Sequence, residues 1–136
     1  MEAKATNLKD LLEFQESVNV LERKIREFFS TQKSAGNIVA GLGAAAKGNT
    51  LINFLRLGRD DIRFVFDSAS SKQDKFLPGS HIPIQPLGSL CEFSEVNTFI
   101  VLPWNIAREI AQKVSTLTTS RPLIYRLMPQ IELIDY

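Results

Sequence analysis

Cysteine, histidine and tryptophan occur once each in the 136 residues, as Cys91, His81 and Trp104. A lone cysteine closes no disulfide within the chain, and one cysteine with one histidine falls short of the ligand sets that hold structural zinc. No apolar run approaches the roughly 20 residues of a membrane-spanning helix. The opening residues, MEAKATNLKD, lack the apolar stretch of a secretory signal. Charge of one sign is also missing: sixteen Lys and Arg stand against fifteen Asp and Glu, a net +1. Without a basic block to neutralise a row of phosphates, neither nucleic acid nor a membrane is expected as a partner. The length suits one soluble globular domain, expected in the cytoplasm. Cys91, next to Leu90 and near Phe93, reads as a core residue.

What is present divides into two stretches. Residues 1–35 read as a helix and a linker. Asn7 is placed to cap, with Asp10 three residues on. Leu11, Phe14, Val18, Leu21, Ile25 and Phe28 follow at 3-4-3-4-3 spacing, with mostly charged residues between them. That stripe is either a seam for a homodimer or another domain, or a face lying on the chain's own core. Ser30 to Gly36 reads as a polar linker. Residues 36–136 alternate strand and helix. Strands are expected at Ile38–Leu42, Ile62–Phe66, Thr98–Leu102 and Leu123–Tyr125, with Ile82–Ile84 extended. Helical spacing marks Ala44–Leu57, stopped at Gly58, a short stretch at Leu87–Phe93, and a segment through Ile106, Ile110 and Val114. The alternation predicts an α/β fold with a mostly parallel sheet.

The first strand runs into Gly41-Leu-Gly43-Ala-Ala-Ala46-Lys47-Gly48-Asn49-Thr50. Read as G-x-G-x-x-A, this resembles the turn that opens a dinucleotide-binding unit. Gly41 is expected to make the tight turn, Gly43 to let backbone approach a phosphate, and Ala46 to keep helix and strand close. The helix N-terminus and Lys47 offer positive charge to an anion. Asp67, ending the second strand, stands near the position of an acidic ribose ligand. The same stretch lacks the lysine a P-loop requires at Asn49, which excludes a nucleoside triphosphatase of that kind. Small residues here also suit plain strand–helix packing. His81, on a loop stiffened by Pro78 and Pro83, is either a donor to a phosphate or sugar oxygen or an ordinary loop histidine. Trp104 follows the third clear strand and either stacks on a base or sugar or packs under the loop. Asn105 is expected to cap the next helix.

Three segments carry a family resemblance. Gly43-Ala-Ala-Ala-Lys-Gly-Asn-Thr-Leu51 resembles the GAAAKGNTLL signature in the C-terminal domain of S-adenosylmethionine-dependent C-methyltransferases, many acting on nucleotide-linked sugars. Lys72 to Ile84 resembles that family's KQGxFLPGTHIPI loop, and Leu102-Pro-Trp-Asn105 resembles its LPWN turn. The departures are Asp74, where the family usually has Gly, and Ser70-Ser71, where Asn-Pro is common.

The resemblance implies a Rossmann-like three-layer sandwich behind an N-terminal helix. It also implies that the zinc-binding and methyl-donor-binding parts of the family's enzymes lie outside these residues. On that footing S-adenosylmethionine belongs to another domain or a partner methyltransferase, this chain binds no cofactor, and no catalytic residue can be carried over. The expected role is a non-catalytic substrate-binding domain for a nucleotide-sugar or another phosphate-bearing small molecule. Its candidate binding residues are Gly41, Gly43, Ala46, Lys47, Asn49, Asp67, His81, Trp104 and Asn105. The alternatives are an interaction module assembling through the N-terminal helix, and an NAD-type nucleotide-binding protein.

Overall fold

The computed structural model describes the backbone of residues 2–136 and the side chains of residues 7–136. Three helices, α1 (Glu2–Ser34), α2 (Ala46–Phe54) and α3 (Ala107–Ser115), accompany six strands. The strands are β1 (Val39–Leu42), β2 (Val65–Asp67), β3 (Ile84–Pro86), β4 (Thr98–Val101), β5 (Leu123–Arg126) and β6 (Glu132–Leu133). They form one sheet in the order β3-β2-β1-β4-β5-β6. All pairs are parallel except β5–β6. Short 3-10 helices follow β3 (Leu87–Glu92, two turns) and β4 (Trp104–Ile106, one turn). This is the Rossmann-like α/β arrangement, with the order reversing between β1 and β4.

Every residue of β1 and β4 is buried, as strands covered on both faces must be. Side chains alternate between two cores. Val39, Val65 and Ile100 face Ile25 and Phe29 of α1 and Ile52 of α2. Ala40, Leu42, Phe66, Phe99 and Val101 face Ala107, Ala111 and Val114 of α3. The three layers are therefore helix, sheet and helix.

Several local expectations are corrected. The Ser30–Gly36 segment is not a linker: the helix runs on to Ser34 and is closed by Gly36 at φ +75°. There the Asn37 N–H donates to the Gln32 carbonyl (2.9 Å) and the Gly36 N–H to that of Lys33 (3.0 Å), satisfying carbonyls the helix end leaves free. Asn7 lies inside α1 and does not cap it, because the helix begins at Glu2. Nor does Gly58 stop α2. Arg56 does, at φ +55°, with the Leu57 N–H donating to the Ile52 carbonyl at 3.0 Å. Cys91 is exposed, on the outer side of the turn whose inner side buries Leu87 and Leu90.

The α1 stripe divides along its length. Ile25 and Phe29 are buried, Leu21 and Phe28 pack beside them, and the Phe28 ring meets Tyr125 edge-on at 5.0 Å. Leu11 and Phe14 are 64% and 67% exposed. Only the second half of the helix lies on the domain. Among the described residues no helix is long and apolar enough to cross a membrane.

Candidate functional site

The carboxyl edge of the sheet gathers the loops after β1, β2 and β4. Gly41 does not make the turn. It sits within β1, opposite Val65 and Ile100, and an added Cβ would press on Val65 and Leu102 at 3.1–3.2 Å. The turn belongs to Gly43, at φ +85°. A Cβ there would meet the Pro103 ring at 2.7 Å, so the space beside Gly43 holds the β4–α3 loop. Ala46 is exposed at the start of α2 and holds nothing close. Gly48 takes that role: a Cβ on it would lie 2.6 Å from the Leu102 Cβ. In physical terms the glycines are spaced for packing α2 onto β4.

Asp67 is 92% buried, since only 8% of its surface remains exposed. Its two carboxylate oxygens accept from the Ala44 and Ala69 N–H groups, each at 2.7 Å. Two residues not singled out as site residues complete the brace. The Lys72 ammonium donates to the Ala44 carbonyl at 3.0 Å, and the Gln73 amide to the Asp67 carbonyl at 3.0 Å. Both lie in the Lys72–Ile84 segment, so the resemblance marked the segment without revealing which backbone atoms its side chains hold. Together they pin the β1–α2 loop, leaving a preorganised helix N-terminus.

That N-terminus has no side-chain cap and no acidic residue in its first turn. Its opening N–H groups and dipole point outward with the exposed Lys47 beside them. Asn49, one turn in, carries a buried amide oxygen with no hydrogen-bond partner. Across the strand-order reversal, Trp104 is partly buried in its 3-10 turn, with its backbone N–H donating to the Leu102 carbonyl at 3.0 Å. Asn105 is exposed. It does not cap α3, whose N-cap position is Ile106.

His81 stands apart. It precedes β3 by three residues, which puts it at the amino edge of a parallel sheet, opposite the other candidates. Its carbonyl accepts from Arg59 at 2.9 Å, and it occupies φ +60° on a loop tied to the far end of α2 by the Asn53 amide and the Pro78 carbonyl. The structure thus brings together Gly43, Ala46, Lys47, Asn49, Asp67, Trp104 and Asn105 at one edge, with Gly41 beneath them, and leaves His81 at the other. Among the described residues no group of three His, Cys, Asp or Glu is placed to hold a metal ion.

Known proteins agree with this architecture. The chain is similar to the crystal structure of UDP-D-quinovosamine 4-dehydrogenase from Vibrio fischeri. The TM-score is 0.51 at 16% identity, over 73% of this chain and 93% of that one. At that identity the likeness is one of fold. It is 37% identical over 102 residues to the C-methyltransferase NovU of Streptomyces niveus, covering 72% of this chain. The chain spans about a quarter of that relative's length, 23%. The family described as C-methyltransferase C-terminal domain matches residues 1–126, and the chain belongs to it.

Proposed function

We propose that the chain is a substrate-binding module of a sugar C-methyltransferase system, holding a nucleotide-sugar over the carboxyl edge of the sheet while methyl transfer is performed elsewhere. The observation that carries this reading is the uncapped N-terminus of α2 at the strand-order reversal, the place where open α/β sheets receive ligands. The phosphates face the N–H groups of Ala46 to Gly48, with Lys47 as a nearby cation. Asn49, one turn into α2, keeps a buried amide oxygen without a hydrogen-bond partner. Trp104 and Asn105 border the far side. Asp67 shapes the loop from below, its oxygens already engaged by backbone. The chain contributes binding and orientation, and S-adenosylmethionine belongs to another domain or a partner.

The test is a chemical-shift titration with uridine and thymidine diphosphate sugars. Shifts are expected at residues 43–49 and 102–105. Lys47→Ala is expected to weaken binding by under about 1 kcal/mol, because this ammonium is solvent-exposed. The absence of shifts at millimolar ligand would return the glycine loop to packing alone.

A further inference from the structure

We infer, on the footing that the carboxyl edge binds a nucleotide-sugar, that Lys72 is the cation that reads its diphosphate, so that the end of β2 recognises an anion and not a ribose diol. In a dinucleotide-binding unit the second strand ends on an acid free to accept from ribose hydroxyls. Asp67 stands at that place but is not free. It is only 8% exposed, and each of its oxygens accepts from a backbone N–H at 2.7 Å. What the loop after β2 offers a ligand instead is the exposed Lys72.

Lys72 is tied to both loops of the edge. Its backbone N–H donates to the Ala69 carbonyl at 3.0 Å, and the Ala69 N–H donates in turn to Asp67. Its ammonium crosses to the β1–α2 loop and donates to the Ala44 carbonyl at 3.0 Å, one residue ahead of Ala45, the N-cap position of α2. An ammonium has three N–H donors, and that carbonyl takes one. Among the described residues Lys72 takes part in no ion pair. Asp67 does not neutralise it, because both carboxylate oxygens are engaged by backbone. A brace alone needs one uncharged donor. A full positive charge beside the start of α2 opposes the helix dipole, and an anion joining both relieves that opposition. Two donors and a charge are thus left for phosphate oxygens at the opening of α2. The exposed Lys47 has no ion-pair partner among the described residues either, but its stem must be ordered at binding. The stem of Lys72 is already held in the free protein.

Uridine diphosphate glucose, inorganic pyrophosphate and uridine are titrated separately into the wild-type chain, following backbone amides and the Lys72 side-chain resonances. Both diphosphates are expected to move Lys72 and the amides of residues 44–48, and uridine to leave Lys72 unmoved. Lys72→Met is expected to weaken pyrophosphate binding about tenfold, more than Lys47→Ala does. It should also lessen the fall of affinity between about 0.05 and 0.5 M salt, which a missing charge does and a loosened loop does not. The wild-type side-chain shifts decide the matter even if Lys72→Met fails to fold. Lys72 unmoved by pyrophosphate, or a folded Lys72→Met chain binding both diphosphates as tightly as wild type, would overturn the inference. Shifts at residues 43–49 from the nucleotide-sugar would then still support the substrate-binding role. Pyrophosphate moving Lys72 while uridine diphosphate glucose moves nothing would support the anion site and overturn that role.

Discussion

Gly43 shows how one residue can be right in position and different in purpose. The strand–glycine–helix pattern places it at the head of α2, and there it stands. Its positive φ and the Pro103 ring 2.7 Å from where a Cβ would be make it a packing requirement between two loops distant in sequence. Gly43→Ala is therefore expected to destabilise the fold itself, by about 1–3 kcal/mol for the left-handed backbone, with further cost from overpacking against Pro103. Urea unfolding measures the total, and Pro103→Ala in the same chain should recover part of it. The same logic corrects Gly41 and Ala46, and gives Gly48 the close-packing role expected of Ala46. Sequence spacing shows that small residues cluster at a strand–helix junction, whereas only the packed loops show which carbon each must avoid. The edge of the sheet at which His81 stands is not legible in sequence for a related reason. A parallel connection carries the chain from one edge of the sheet to the other, and periodicity does not say how far along that passage a loop residue lies.

At the scale of elements, long apolar runs were legible and short ones were not. β1 and β4 stand out as continuous buried runs, while β5 buries only Ile124 fully and the two residues of β6 carry no periodic signal. β6 is fixed by contacts that appear only on folding: Arg126 pairs with Glu132, and the Ile134 N–H donates to the Ile124 carbonyl at 2.7 Å. Beyond it the Tyr136 hydroxyl donates to the Pro122 carbonyl at 2.6 Å. Burial pushes the Tyr136 phenol above its ordinary value, with the Arg121 guanidinium pulling the other way. A phenol raised in the folded state stabilises it below about pH 10, the unfolded value, and that contribution disappears as pH rises through the folded value. Tyr136→Phe is expected to cost about 0.5–1.5 kcal/mol near neutrality. It should also flatten the decline of stability above pH 10, read by denaturant titration across pH 8–11. The end of α1 was legible in composition but not in conformation, because Ser30–Gly36 looks like a linker until Gly36 closes it as a helix terminus.

For the molecule as a whole, the layered α/β class and the approximate segments followed from alternating patterns, and α1 is where pattern alone stopped short. Its 3-4 spacing is uniform, yet one half is core and the other is surface. In dilute solution, where α1 has only its own domain to lie on, Ile25→Ala is expected to cost about 2–5 kcal/mol and Leu11→Ala under about 0.5 kcal/mol. Thermal unfolding of the two variants at one low concentration checks the contrast. The strand order has its own consequence, in time. β1 comes first in chain order among the six strands of this sheet and lies in its middle, yet Val39 must wait for Thr98, 59 residues later, to gain its neighbour on that side. Closing so long a loop precedes any reward from the contact, which slows folding relative to a chain of local pairings. During synthesis the apolar β1 therefore remains half-paired until β4 has emerged, and in refolding the amides of β1 and β4 should gain protection from exchange together, as one late event.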